Sequence, residues 1–330
     1  MNTIRKFAAL ALSVIAAATV NAQETACDLQ ARMVREAIPV SVGSPSAMEK
    51  LLNPTVDAQL SATFDPARAA GIVRDSLAPD TRCTAYRKGD LGYDCRYNGA
   101  ASVLKVEMER GRIAYLNRTR SEQKAAAKIS ETDAIALARQ AAEAVGMPLR
   151  ELGTRADVRT LRVTAASEEG RVITGEAMGS EVHVRYQRHI GGVPVAFSRF
   201  HAAIDARGEI ARMHVRWPDF RLARGLSAAN TASREQVVAQ VLDQLGRDNR
   251  CGSLSHVVAN VVYARTAVID GGEGASTEAS ETESGPSEFV PALMVTVFPV
   301  AQKEDSGVPQ MPVQNYVFPL LRGADGTEGQ

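Results

Sequence analysis

Residues 182–217 read VHVRYQRHIGGVPVAFSRFHAAIDARGEIARMHVRW, and the order of apolar and polar residues in this stretch decides the fold class. Three strand-like runs stand out, Val182–Tyr186, Val193–Ile204 and Ile210–Trp217. Turn signals at Gly191-Gly192 and at Asp205-Ala206-Arg207-Gly208 separate them. Alternation puts His183 in phase with Arg185 and Gln187, and His214 in phase with Arg212 and Arg216. Val182, Val184, Met213, Val215 and Trp217 take the opposite phase. The stretch therefore predicts an antiparallel sheet with one face in a core and one polar face.

That polar face holds the most site-like residues of the chain. His183, His189, His201 and His214 fall on consecutive predicted strands, which is one way a metal site arises; solvated surface histidines are the plainer reading. Between Arg185 and Arg224 eight arginines meet three acids, Asp205, Glu209 and Asp219. Arg185, Arg199, Arg212 and Arg216 form a candidate binding face, where forked guanidinium hydrogen bonds would take an acidic or carboxylate-bearing partner. Trp217-Pro218-Asp219-Phe220 adds aromatics beside it, although a lone tryptophan also serves as a core anchor.

Upstream, Ser130 with Asp133 opens a predicted helix with apolar positions 134, 137, 138, 141, 142 and 145, closed by Gly146-Met147-Pro148. The device recurs at Ser233 with Gln236, followed by Val237, Val238, Val241, Leu242 and Leu245. Strand-like runs Val257–Val268, Phe289–Val300 and Val313–Leu321 come after it. From Thr25 to Leu77 the pattern is helical, with Leu29, Met33 and Ala37 on one face and Ser44-Pro45 and Asp65-Pro66 as helix starts. Residues 81–119 read as a short-stranded meander. Residues 271–287, rich in Gly, Ser, Thr and Glu, read as a mobile acidic loop with no calcium-loop spacing.

The amino terminus reads as a secretory signal: Arg5 and Lys6, fourteen apolar-rich residues Phe7–Val20, then Val20-Asn21-Ala22 before cleavage between Ala22 and Gln23. The apolar run is too short to span a bilayer, which takes roughly 20 residues, and no later segment suffices. The expected location is periplasmic or secreted. Basic and acidic residues balance at 38 each, which argues against nucleic acid as a bulk partner. In an oxidising compartment Cys27, Cys83, Cys95 and Cys251 are disulfide candidates with three connectivities. Cys83 and Cys95 flank the turn-like 88–92, so a hairpin bridge is the favoured pairing and leaves Cys27 to Cys251.

Catalytic signatures do not emerge. The sequence has no Gly-x-Ser-x-Gly, no phosphate loop, no dinucleotide fingerprint and no Cys-x-x-Cys. No cofactor, metal or catalytic residue is expected, and the chain reads as a non-enzyme.

Tyr186-Gln187-Arg188-His189-Ile190-Gly191-Gly192-Val193-Pro194-Val195, with Phe200-His201-Ala202-Ala203-Ile204-Asp205 leading to Gly208, resembles the propeptide region of secreted thermolysin-type metalloproteases. The segment from Ser233 to Leu321 resembles the PepSY-type domain of those propeptides. The resemblance spans about 128–321, and no His-Glu-x-x-His follows. The residue pattern reads as an α+β fold of helix-then-antiparallel-sheet units, at 128–232 and 233–321, preceded by a helical plus β-meander domain at 23–120 and followed by a disordered tail at 322–330; the resemblance makes the two units propeptide-like. The resemblance also implies an exported binding module that inhibits a secreted peptidase or helps it fold. The alternatives are an envelope structural or interaction protein, and a hydrolase with dispersed catalytic residues.

Overall fold

The computed structural model describes residues 26–54, 64–84, 95–108, 110–118, 129–163, 179–248, 250, 253–266, 288–300 and 313–322. The expected signal with its Ala22–Gln23 cleavage point, the expected turn at 88–92, the connector read at 121–128, Cys251, the loop read at 271–287 and residues 323–330 lie outside them. The described helices are α1 (26–37), α2 (Pro45–Leu52), α3 (Pro66–Leu77), α4 (Glu131–Ala144) and α5 (Arg234–Arg247). Each predicted start is in place. Ser44 and Asp65 cap α2 and α3 with proline in the first turn, Ser130 accepts from the Asp133 amide, and Ser233 with Gln236 forms a full capping box.

Twelve strands are described: β1 (Arg82–Thr84), β2 (Cys95–Asn98), β3 (Ser102–Glu107), β4 (Arg112–Asn117), β5 (Asp157–Val163), β6 (Gly179–Ile190), β7 (Val193–Asp205), β8 (Ile210–Arg216), β9 (Arg221–Leu222), β10 (Leu254–Arg265), β11 (Glu288–Pro299) and β12 (Gln314–Pro319). The chain divides into two compact units. The first contains Pro54–Leu222 and Glu281–Phe289; the second contains Met1–Asn53, Ala223–Ser280 and Val290–Gln330.

In the first unit the strands run in the order β1-β2-β3-β4-β8-β7-β6-β5, antiparallel throughout, with Glu288 and Phe289 pairing in parallel to β9. Two meanders are thus welded edge to edge where β4 pairs with β8, Ala114 opposite His214. One face carries Leu104, Val106, Ile113, Tyr115, Val182, Val184, Phe200, Ala202, Met213 and Val215, all buried. Helix α3 covers β3 and β4, and α4 covers β6 and β7. Both helices turn small residues inward, Ala69, Ala70 and Val73 from α3 and Ala134, Ala138 and Ala142 from α4, so their axes approach the sheet closely.

In the second unit β10, β11 and β12 pack with α1, α2 and α5 around Val34, Ile38, Val237, Val241, Leu293, Val295 and Tyr316. The inward face of α1 is therefore Gln30, Val34 and Ile38, while Leu29, expected inside, is half exposed. Arg234 donates to the carbonyls of Arg35 and Ile38 at the end of α1, and Tyr263 Oη donates to Leu51 O (2.9 Å) at the end of α2.

This architecture overturns the expected fold class. The chain is a strand-dominated, mixed-sheet protein, with twelve strands and five α-helices among the described residues, not a succession of propeptide-like helix-then-antiparallel-sheet units behind a separate α plus meander domain. The local elements are where periodicity puts them; their grouping differs. The 81–119 meander shares its sheet with 157–216, and α1 and α2 belong with the carboxyl-terminal strands. Periodicity shows which face of a strand is buried but carries no information about which edges meet.

A buried ion pair pins the first unit. Arg188 sits in the apolar phase of β6, with 2 % of its side chain exposed, and donates from Nε to Glu151 Oε2 (2.7 Å) and from Nη1 to the Pro218 carbonyl. Its guanidinium lies 4.8 Å from the ring centre of Trp217. Trp217 is buried, as a core anchor would be, and Phe220 stacks on Phe289 at 5.1 Å, so neither is an exposed docking aromatic. The Trp217 amide donates to Gly111 O (2.8 Å), and a Cβ at Gly111, whose φ is +56°, would lie 2.2 Å from the Trp217 carbonyl oxygen.

Cys83 and Cys95 are joined in a disulfide across β1 and β2, Cα atoms 5.9 Å apart. Cys27 is disulfide-bonded as well; its expected partner Cys251 lies outside the described residues. Among the described residues no helix is long and apolar enough to cross a membrane.

Replacing Arg188 with Leu strands the Glu151 carboxylate in the core. It is expected to lower unfolding stability by about 3–5 kcal/mol, read as a shift in the urea midpoint of non-reduced protein. Replacing Cys83 and Cys95 together with Ser opens a 12-residue connection and is expected to cost about 2–3 kcal/mol; an unchanged midpoint would mean that the bridge does not constrain the unfolded chain.

Candidate functional site

The face of the first unit's sheet opposite α3 and α4 is built by register. Three transverse rows of side chains cross it. Gln187, Arg199, Arg216, Arg112 and Glu107 are successive partners in the first. Asp157, Arg185, His201, His214, Ala114, Lys105 and Arg96 follow one another in the second. Arg159, His183, Ala203, Arg212, Leu116 and Val103 make the third. All four arginines proposed from sequence, Arg185, Arg199, Arg212 and Arg216, share this face, and Arg199 lies directly opposite Arg216. Lys105 and Arg112 join them because β4 pairs with β8.

The acids on this face are already engaged. Glu107, 2 % exposed, is approached by Arg110 Nη1 (3.3 Å) and Arg112 Nη1 (3.5 Å). Asp157, opposite Arg185, is taken by Arg159 Nε (3.4 Å). Glu181 is held by His183 Nε2 (3.2 Å) and Arg212 Nε (3.5 Å). The His183 hydrogen bond, with help from the Arg212 charge, keeps the Glu181 carboxyl below the usual carboxylate range against the pull of burial. Arg185 and Arg199 have no carboxylate in ion-pair reach among the described residues. Burial draws Arg199 down, and the neighbouring charges of Arg185 and Arg112 add to it.

Three histidines run through the middle. His183 Nδ1 lies 3.0 Å from His201 Nε2, their ring centres are 5.1 Å apart, and His214 follows 6.0 Å from His201. With His183 Nε2–H donating to Glu181, His183 Nδ1 accepts from His201 Nε2–H, tautomers assigned from the network. Desolvation, then the charges of His183, His214, Arg185 and Arg199, push His201 down to about 3. His214 is also lowered, by desolvation and then by the positive charge of Arg112, Arg199, Arg212 and Lys105. His201 is thus unprotonated at neutral pH and adds no charge to the guanidiniums and Lys105 of the face.

The remaining histidines lie elsewhere. His189 sits beyond a register shift in β6, its Nδ1 3.1 Å from Gln187 O, and His256 packs on Phe298 in the second unit, ring centres 5.8 Å apart. Among the described residues no group of three or more His, Cys, Asp or Glu is arranged to hold a metal ion. Sequence reasoning missed Arg112 and Lys105, although Arg112-Ile113-Ala114-Tyr115 alternates in the same sense as β8. It also missed Arg188, whose position in the phase of Val182, Val184 and Tyr186 marks it as an arginine facing the core.

No family model and no curated protein matches this chain. Among solved structures, an uncharacterized protein from Eubacterium rectale is similar at 9 % identity and a TM-score of 0.47, over 79 % of this chain and 80 % of that one. That score is too low to carry an argument about fold or function.

The depressed His201 gives a pH signature. An unfolded histidine takes its proton near 6.5, whereas folded His201 resists protonation to about 3, so between those limits the unfolded chain binds more protons and stability falls as pH falls. His201→Asn, which does not titrate, is expected to flatten this acid limb in urea midpoints collected from pH 7 to 4; an unaltered limb would show that His201 is protonated in the folded chain.

Proposed function

We propose that the chain is an exported, non-catalytic binding module whose partner is an extended, acidic polypeptide lying across the cationic sheet face. The observation that carries this reading is the pair Arg185 and Arg199, which have no carboxylate in ion-pair reach among the described residues and lie in adjacent rows of one sheet face beside Arg216 and Arg112. Guanidiniums set out on neighbouring strands offer forked donors, and a row of carboxylates supplies matching acceptors. Ala114, the short side chain in the central row, is partly exposed and lowers the floor beside the histidines. The Cys83–Cys95 disulfide and the signal-like amino terminus fit delivery to an oxidising compartment. A propeptide-like role would be one instance of this binding, in which the acidic partner is a co-exported peptidase.

Fluorescein-labelled hexaglutamate is the first probe. The chain from Gln23 onward is expected to bind it with an affinity that falls steeply between 50 and 300 mM salt, and Arg185→Ala with Arg199→Ala to weaken binding about tenfold or more. Arg207→Ala, an exposed arginine in the β7–β8 turn, is the control and should bind as the parent does. Equal binding by the double variant would remove the sheet face from the function. Inhibition of a co-exported metallopeptidase, lost in the same double variant, would extend the reading to a propeptide-like role.

A further inference from the structure

The centre of the cationic face holds an acceptor where its neighbours are donors. Register sets Arg185 directly opposite His201, and Arg199 lies two residues before His201 on β7, in the same half-exposed phase. Neither guanidinium has a carboxylate in ion-pair reach among the described residues. His201 spends Nε2 on His183 Nδ1 (3.0 Å), and its ring is flanked by those of His183 and His214. In the tautomer that this bond and the His183–Glu181 bond assign, His201 Nδ1 is a bare lone pair. That nitrogen has no hydrogen-bond partner, and it is not among the unpartnered atoms closed off from water, so it meets solvent.

A carboxylate drawn to Arg185 and Arg199 arrives beside that lone pair. Two acceptors in contact repel, and an acceptor covered by a partner and left unmet costs free energy. One proton on Nδ1 removes both penalties, because it turns the imidazole into a third donor whose charge-assisted hydrogen bond joins those of the guanidiniums. The other charged or titratable groups on the face around His201 are Asp157 and Arg159 from β5, Glu181 and His183 from β6, Arg212, His214 and Arg216 from β8, Arg112 from β4, and Lys105 and Glu107 from β3. Their acids are taken: Glu181 by His183 and Arg212, Asp157 by Arg159, Glu107 by Arg110 and Arg112. The anion that balances a proton on His201 is therefore the partner's. Without it, desolvation, then the charges of His183, His214, Arg185 and Arg199, hold His201 down to about 3; a carboxylate over the two guanidiniums offsets the charge part of that penalty.

We infer that Arg185, Arg199 and His201 form one carboxylate subsite, in which His201 takes up a proton at Nδ1 as the acid group binds. The inference rests on the acidic-partner reading of this face and adds proton linkage to it. Where binding takes up a proton, affinity rises as pH falls, by about tenfold per pH unit at full coupling. Calorimetric titration of the chain from Gln23 onward with hexaglutamate at pH 7.5, 6.5 and 5.5, at constant ionic strength, tests it; glutamate, with an ordinary pKa of about 4.3, stays ionised over this range. Paired buffers of different ionisation enthalpy count the protons taken up, and the parent chain needs no variant for that count. The parent is expected to gain about fivefold or more in affinity from pH 7.5 to 5.5, with net uptake rising as pH falls. His201→Gln, which keeps a donor for His183 Nδ1 and does not titrate, should lose the uptake and most of the pH dependence together. Hexaglutamate bound with no proton uptake overturns the subsite and leaves the cationic face standing. Uptake undiminished in His201→Gln assigns the proton to another group and overturns the subsite as well. No binding at any of the three pH values overturns the reading of the face, and this inference with it.

Discussion

The first unit depends on an arginine in the wrong place. Strand β6 alternates Val182, Val184, Tyr186, Arg188 and Ile190 toward the core, all buried, and a guanidinium in that series is tolerable only if its charge and donors are met without water. Glu151 meets the charge, Pro218 O takes a second donor, and the Trp217 ring covers the flat face. The three partners come from two segments: the 3-10 turn after α4 supplies Glu151, and the chain leaving β8 supplies Trp217 and Pro218. Gly111, between β3 and β4, completes the arrangement by admitting the Trp217 carbonyl where no side chain would fit. The pair thus fixes the relative placement of both meanders at the seam where β4 joins β8.

Much of this molecule is legible in its sequence at the level of single elements. The caps at Ser130 and Ser233, the turns at Gly191-Gly192 and Asp205–Gly208, and the phase of β6 and β8 follow from residue chemistry within a few positions, because capping, turn geometry and pleat are local constraints. Asp205 Oδ1, accepting from the amides of Arg207 and Glu209 (2.9 Å each), shows how little of the chain such a turn needs. What failed was grouping. The edge of β4 could meet β8 or solvent with the same alternation of side chains, and α1 could cover either sheet with the same stripe. Helix-then-strand order suggested repeated units, and order along the chain proved a poor guide to pairing.

The binding face was half legible for the same reason. Arg185, Arg199, Arg212 and Arg216 lie within one meander, whose strands pair in sequence order, so alternation alone brings them together. Arg112 and Lys105 reach the face across a non-sequential pairing and escape any reading confined to neighbouring strands. Arg188 is the converse: its phase was plain in the sequence, yet an arginine within an arginine-rich run is easily counted as surface charge. A charged residue in the apolar phase of a strand is better read as a demand for a buried partner elsewhere in the chain, here Glu151, 37 residues away.

Charge balance over the whole chain conceals the character of this face. The sequence holds equal numbers of acids and bases, but Glu107 and Glu181 on this face are buried and held by basic side chains, Asp157 is taken by Arg159, and Glu151 is spent in the core on Arg188. Arg185 and Arg199 remain on the face with no carboxylate in ion-pair reach among the described residues. His201 adds no charge to them, since desolvation, then the charges of the neighbouring histidines and guanidiniums, keep it unprotonated. Its neutral ring sits in the row between Arg199 and Arg212 and reduces the repulsion that a continuous field of charge would impose on the strands beneath. A protein of zero net charge can in this way present a strongly positive surface, because the potential a ligand meets depends on where charges are left uncompensated and not on their sum.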